Sequence, residues 1–181
     1  MSVLRYTRTA IALHWLMALL LTGTFAVGLY MHELPLSPMK LQIYSWHKWA
    51  GVSAALLLAV RFAWRLGHTP PALVAGMPRW QEIAAHGIHH LLYLLMLAVP
   101  VSGWLMSSAK GFQTVYFGVL PLPDLIGKDP ELGELLKTVH VVLNFTLAGV
   151  VVAHAGAALK HHFIERDDTL ARMLPFLARK H

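Results

Sequence analysis

Two histidines lie within one long apolar stretch of the chain, from Thr138 to His162. His140 and His154 are fourteen residues apart, and at about 100° per residue this spacing stops roughly 40° short of four full helical turns. Both side chains would therefore leave the same side of a helix, about 21 Å apart along its axis. Imidazole nitrogens bind metal ions and haem iron, so the spacing predicts two ligand positions at two depths of one helix.

Four apolar segments would position these and other histidines: Thr9–Tyr30, Tyr44–Trp64, Ile83–Ser107 and Leu135–Lys160. Each is long enough to cross a bilayer, for which about 20 residues suffice. The chain is 56% hydrophobic and only 13% charged, which is far less charge than a soluble domain carries. We therefore predict an all-α, membrane-spanning four-helix bundle, with residues 1–181 forming a single domain.

The connections between these segments contain most of the prolines, which is typical of loops. They are predicted over His32–Ile43, Gly67–Trp80 and Ala109–Glu134. Within the last connection, Phe112–Val119 is apolar and aromatic, so we expect it to lie at the membrane interface. Pro100 falls inside the third segment, where a kink is expected.

Lysine and arginine are distributed unequally between the two predicted sides of the membrane. Ten of the fifteen fall on the side that holds both termini: Arg5, Arg8, Arg61, Arg65, Arg79, Lys160, Arg166, Arg172, Arg179 and Lys180. With four acidic residues there, that side carries a net charge of +6, whereas the other side has five basic and five acidic residues. The positive-inside rule predicts that both termini are cytoplasmic. The basic charge is thus a topology signal that faces anionic lipid, and it does not indicate a nucleic-acid partner.

Four histidines fall at two matched depths of the predicted bundle. His47 and His140 share the outer level, and His14 and His154 share the inner level. A pair of histidines from different helices is what a bis-histidine b-type haem needs. The chain has no cysteine, which excludes covalent c-type haem and cysteine-ligated iron–sulfur clusters. The alternative is that each histidine is a hydrogen-bonded interfacial residue, but the matched depths favour ligation.

Small residues near these histidines are expected to leave room for the macrocycles. They are Gly51 and Ala54 on the second segment and Gly149, Ala153 and Ala157 on the fourth. Small residues also allow close packing of helices without any cofactor, so they are weak support.

Further histidines and one arginine gather at the inner level. His86, His89 and His90 open the third segment, and His161 continues the stripe of His140, Leu147 and His154. Neutral imidazoles beside a haem could bind a quinone carbonyl and relay protons, or they could simply lie among lipid headgroups. Arg61 could pair with a haem propionate, although it could equally extend to the headgroups.

The ordered sequence blocks resemble the bacterial cytochrome b561 family, which is related to the membrane cytochrome b subunits of nickel–iron hydrogenases and formate dehydrogenases. The blocks are RYTRTAIALHW, YSWHKWAG, VRFAWRL, AAHGIHHLLYLLMLAVPVSGWLM, KTVH and VAHAGAALKHHFIERDDTLARMLP, and they cover nearly the whole chain. The resemblance implies a multi-pass protein of the bacterial inner membrane with two haem b groups. His14 and His154 would ligate the cytoplasmic-side haem, and His47 and His140 the periplasmic-side haem. His89 and His161 would belong to a quinone site.

The resemblance also implies a function for a short chain of this kind. Superoxide, or another periplasmic donor, would supply electrons, and these would pass to membrane ubiquinone. Lys48 and Lys137 lie close to the outer ligands and could steer a small anion, or they could form a solvated rim. The alternative is a quinone-reducing cytochrome b subunit that anchors a larger dehydrogenase or hydrogenase and so has a partner subunit. A histidine-lined metal transporter is disfavoured because the cores of the four segments lack Asp and Glu.

Overall fold

The computed structural model describes residues 5–74 and 76–177, and four long helices dominate this part of the chain. They are α1 (Arg8–Glu33), α2 (Pro38–Gly67), α3 (Arg79–Ala109) and α4 (Pro130–Lys160). All four are long and apolar enough to cross a membrane, which confirms the predicted number of spans. Consecutive helices pack against one another along the chain. Arg179 and Lys180, which entered the charge count, lie outside the described residues.

The helices begin earlier than the hydropathy pattern predicted. Ser37 caps α2 by accepting a hydrogen bond from the Lys40 amide, and Asp129 caps α4 by accepting one from the Leu132 amide. A proline follows each cap at the first helical position, where its fixed φ and missing N–H suit a helix start. The predicted loop His32–Ile43 is therefore wrong over most of its length, since only residues 34–37 connect α1 to α2.

The connection between α3 and α4 contains a short hairpin that was not predicted. Strands β1 (Val115–Tyr116) and β2 (Leu120–Pro121) pair antiparallel. The three-residue connection between Tyr116 and Leu120 holds Phe117 and Gly118 at positive φ, 51° and 72°. Trp49 on α2 donates from its indole Nε1 to the Val115 carbonyl, so the hairpin is fastened to the bundle.

One apolar cluster fills the middle of the bundle. It joins Met17, Leu58, Leu95, Met96, Val99 and Leu147, which come from all four helices. Leu147 lies midway between His140 and His154 in sequence, so the cluster separates the two histidine levels. In a bilayer, van der Waals packing rather than the hydrophobic effect makes such a cluster stabilising, because lipid tails are themselves apolar. Large apolar side chains such as Leu19 and Val152 point outward, as lipid contact requires.

The inner end of α4 continues into a π-helical turn, His161–Glu165. Arg166 ends this turn with a left-handed backbone, φ 58°, which reverses the chain. The following segment returns over the inner end of the bundle. There the Trp15 indole donates to the Met173 carbonyl and Arg172 donates to the Ala72 carbonyl.

Candidate functional site

Two pairs of histidine rings face each other across the bundle at two levels. At the inner level, His14 on α1 and His154 on α4 have ring centroids 6.2 Å apart. At the outer level, His47 on α2 and His140 on α4 have centroids 6.4 Å apart. Helix α4 thus supplies one ring to each level, and α1 and α2 supply the opposite rings.

These separations match two imidazoles that bind one metal from opposite sides. A metal–nitrogen bond of about 2 Å, with about 1 Å more to the ring centre, gives about 6 Å between centroids. The centroid separation of each pair therefore leaves room for one iron between the two rings. The His47 Nδ1 atom is buried and makes no hydrogen bond of normal geometry within the described residues. An apolar groove of about 420 Å³ runs beside this ring, lined in part by Gly23, Thr24 and Val27.

The hydrogen bonds around His140 identify which ring nitrogen carries its proton. Ser102 donates its hydroxyl hydrogen to the Val99 carbonyl over 2.8 Å. The Ser102 oxygen and the Val99 carbonyl lie 3.0 and 3.1 Å from His140 Nδ1, and both can only accept there. Nδ1 must therefore be protonated, and in a neutral imidazole this leaves Nε2 with the lone pair that a metal needs. The residues around His140 fit an axial ligand.

The surroundings of His14 require one rearrangement before the ring can bind a metal through Nε2. The Arg61 guanidinium lies 3.1 Å from His14 Nδ1 and can only donate, so Nδ1 carries the lone pair in this geometry. A neutral ring then has its proton on Nε2. Ligation through Nε2 would thus require Arg61 to turn to another acceptor, such as a carboxylate.

Two glycines that the sequence analysis did not single out contact the outer histidines. A Cβ at Gly103 on α3 would lie 2.9 Å from His140 Cε1, and a Cβ at Gly28 on α1 would lie 3.1 Å from His47 Cε1. By contrast, a Cβ at Gly51 or Gly149 would meet nothing within 4 Å. The space beside the rings is therefore created by a different pair of glycines from the one predicted. The sequence could have indicated these two glycines, because they lie at the same depth of the bundle as the outer histidines.

His89 and Arg61 lie at the inner level with the His14 pair. The His89 ring centroid is 5.3 Å from that of His154, in an edge-to-face arrangement. Arg61 and Arg65 both lie over the Tyr93 ring, at 5.5 and 5.7 Å. The structure therefore places four predicted residues together, and it adds Arg65 and Tyr93, which the sequence analysis did not assign to the site.

His161 makes contacts that were not predicted. Its Nδ1 lies 2.6 Å from both Glu165 Oε2 and Asp167 Oδ2, because the π-helical turn and the reversal at Arg166 bring both carboxylates under the ring. Gln81 at the start of α3 donates to the other oxygen of Glu165. Within the described residues, His161 makes no ring contact with His154 or His89. It is thus part of an acidic cluster at the rim rather than of the inner histidine group.

The carboxyl group of Asp167 has a lowered pKa. Burial alone would raise this pKa, but hydrogen bonds from Thr169 and from His161 together lower it below the ordinary value of 3.8. Because the pKa of Asp167 is lower in the folded than in the unfolded state, its ionised carboxyl group stabilises the fold at pH values above the ordinary pKa of 3.8. This stabilisation is lost as the pH falls through the lower pKa of the folded state.

We expect Asp167→Asn to loosen the segment that follows α4 at neutral pH but not in acid. Amide hydrogen exchange of residues 169–174 should be faster in the variant than in the wild type at pH 6. The two proteins should converge as the pH falls through the lowered pKa of Asp167, because the wild-type carboxyl is then itself protonated. Asp168→Asn, one residue along, is the matched control and should change little. Equal protection of wild type and D167N at pH 6 would contradict the assignment.

The two lysines expected near the outer ligands are engaged in contacts. Lys48 donates to the Phe112 carbonyl over 2.9 Å and so helps to hold the hairpin connection. Lys137 lies 3.8 Å from Glu134, which also pairs with Lys110. The charge of Lys137 is therefore offset by a carboxylate, whereas Lys48 donates to a carbonyl and interacts electrostatically with the Asp124 carboxylate.

Comparison with known proteins gives one consistent family. The model of the family described as prokaryotic cytochrome b561 matches residues 5–176. The chain is 34% identical over 178 residues to "Cytochrome b561 homolog 2" of Escherichia coli (strain K12), covering 94% of this chain and 91% of the relative. It is 32% identical to "Cytochrome b561 homolog 1" of the same organism, covering 94% and 97%. It is also 29% identical to "Probable superoxide oxidase CybB" of Yersinia pestis, covering 94% and 96%.

Proposed function

Because the chain belongs to the prokaryotic cytochrome b561 family, we propose that it is a membrane cytochrome that carries electrons from periplasmic superoxide through two b haems to ubiquinone. Proteins of this family bind haem b in the membrane. The observation that carries the proposal is the pair of histidine levels, with centroid separations of 6.2 and 6.4 Å. One haem would be held by His14 and His154 and the other by His47 and His140.

The proposal includes a topology. The chain would be a single domain in the bacterial inner membrane with both termini cytoplasmic, so that the outer histidine level faces the periplasm. The support is the net charge of +6 on the side that holds the termini, against zero on the other side. The four helices and the family support a multi-pass membrane protein.

The haems would supply the one-electron chemistry, and the chain's own residues would hold them and exclude water. Val99 and Ser102 keep the Nε2 of His140 free of its proton, which leaves it ready for iron. The Gly28 and Gly103 backbones leave room for the outer rings to turn. The apolar cluster around Leu147 keeps the space between the levels dry.

At the inner level, Arg61 would turn from His14 to a haem propionate, since a charge-assisted bond to a carboxylate is the stronger one. His89 would bind a ubiquinone carbonyl and give it a proton. His161 with Glu165 and Asp167 would collect protons at the cytoplasmic rim, because the carboxylates hold the ring where protons arrive from water.

Superoxide is proposed as the donor on two grounds. One relative is named a probable superoxide oxidase, and the cation of Lys48 lies beside His47 in sequence. Superoxide gives up one electron and becomes dioxygen. Ubiquinone takes two electrons and two protons to become ubiquinol, so two superoxide ions would be consumed for each quinol formed.

A test of the proposal starts with haem stoichiometry. The purified protein should contain two b haems per chain by pyridine haemochrome assay, with a reduced-minus-oxidised spectrum of b type. Generated superoxide should then reduce the haems, and added ubiquinone should reoxidise them with quinol formed. One haem or none per chain would refute the two-level scheme. Two haems that superoxide cannot reduce would favour the alternative, a quinone-reducing subunit that depends on a partner dehydrogenase.

We expect His89→Ala to slow quinol formation about tenfold or more while both haems remain, since a positioned proton donor contributes about 10²–10⁴-fold. The measurement is the rate of haem reoxidation by ubiquinone after photoreduction or dithionite reduction. His90→Ala is the matched control, because the His90 Nδ1 contacts the His86 carbonyl of its own helix. An unchanged rate in H89A, or an equal loss in H90A, would remove His89 from the quinone site.

A further inference from the structure

Ser102 lies on α3 beside the outer histidine pair and is only 5% exposed. Its hydroxyl donates to the Val99 carbonyl and accepts from His140 Nδ1. The Val99 carbonyl accepts from the same N–H over 3.1 Å. One N–H of this imidazole is thus shared by two acceptors in the interior of the bundle.

Among the described residues, none of the other three proposed ligands has two acceptors of normal hydrogen-bond geometry on its Nδ1 atom. His47 lies near the Thr24 backbone carbonyl, but its Nδ1 makes no hydrogen bond of normal geometry in the described part of the chain. His14 Nδ1 faces a donor, the Arg61 guanidinium. For His154, the contacts within residues 5–74 and 76–177 are with the rings of His14 and His89. His140 is therefore the ligand whose electron density the protein raises most.

Acceptors on the free N–H of a ligating imidazole make that ligand more basic. A more basic axial ligand favours the more positively charged, oxidised iron, and so it lowers the reduction potential of the site. Hydrogen bonds to ligands are among the means by which a protein sets such potentials. A buried hydroxyl at this position would therefore change the reduction potential of the outer haem.

We propose that Ser102 is a positioning residue that fixes the His140 tautomer and lowers the reduction potential of the outer haem relative to the inner one. The inference rests on the proposed function, since it assumes that His47 and His140 hold a haem. A lower outer potential makes transfer from the outer level to the inner level favourable. The direction of electron flow would then be set partly by one hydroxyl group.

The test is a spectroelectrochemical titration of both haems in the wild type, S102A and S102T. We expect S102A to raise the midpoint potential of the outer haem. The expected rise corresponds to a threefold to tenfold change in the equilibrium constant for its reduction, and a tenfold change equals about 59 mV for one electron. The shift is partial because the Val99 carbonyl still accepts the N–H. The inner midpoint should not move, and S102T, which keeps a hydroxyl, should return to the wild-type value.

Ser107→Ala is the matched control. Ser107 lies on the same helix, is also buried, and donates to the Phe112 carbonyl rather than contacting a histidine. It should leave both midpoints unchanged. An outer midpoint that is unchanged in S102A, or that shifts equally in S107A, would overturn the proposal.

A failure of the proposed function would look different, because it would appear in the wild type itself, as fewer than two haems per chain or as haems that superoxide cannot reduce. If S102A loses the outer haem, the same titration is made on S102C, because a thiol is a weaker hydrogen-bond acceptor than a hydroxyl. An outer midpoint in S102C equal to that of the wild type would overturn the proposal, and a raised one would support it.

Discussion

His140→Ala should reduce the haem content from two per chain to one and abolish reduction by superoxide. His140 and His47 are the two rings at the outer level, so the outer iron would lose one of its two axial ligands. The inner pair, His14 and His154, is separated from the change by the apolar cluster around Leu147. The inner haem should therefore remain, with its own midpoint and spectrum. Pyridine haemochrome assay and a redox titration of the variant measure both quantities.

The converse variant supplies the control for this experiment. His154→Ala should lose the inner haem and keep the outer one, so the two single-haem spectra should add up to that of the wild type. Loss of both haems in H140A, or retention of both, would break the assignment of levels. Circular dichroism of each variant distinguishes a lost haem from a lost fold.

Gly103→Ala should lower the occupancy of the outer haem severalfold although it adds only one methyl group. The added Cβ would lie 2.9 Å from Cε1 of His140, which is closer than such atoms approach, and 3.3 Å from its Nδ1, which is also tight. The ring would have to turn away, and the hydrogen bonds from Nδ1 to Ser102 and Val99 would be lost with it. Haem content after purification, and its recovery on adding excess haem, measure the effect.

Gly87→Ala on the same helix is the matched control for this prediction. A Cβ there meets nothing within 4 Å, so the change should leave both haems in place. It should even stabilise the helix by about 0.5–1 kcal/mol, the usual gain of alanine over glycine in a helix interior. Full outer occupancy in G103A, or equal loss in G87A, would show that the close approach of α3 to His140 has no role.

Much of the architecture was predictable because hydropathy and histidine spacing are periodic along a helix. The four spans followed from the length of the apolar segments, and the shared helix face of His140 and His154 followed from counting residues at 3.6 per turn. The helix starts were predicted too late because Pro38 and Pro130 resembled loop residues. Ser37 and Asp129, which precede these prolines, are the N-cap residues that mark where the two helices begin.

The parts that were missed depend on contacts between elements, which leave no periodic trace. Gly103 and Ser102 are side by side on α3, yet only their approach to His140 on α4 gives them a role. Asp167 reaches His161 only because the π-helical turn and Arg166 reverse the chain. The hairpin was missed because its turn places Phe117 where asparagine or aspartate usually provides the positive φ.

The apolar cluster between the two histidine levels has a bioenergetic consequence. The side chains of Met17, Leu58 and Leu147 carry no group that can donate or pass on a proton, so a proton could not follow an electron through them from one level to the other. Under the proposed topology, negative charge would move inward while the protons for the quinol come from the cytoplasm. Each turnover would then be electrogenic, and disposal of a toxic oxygen species would also charge the membrane.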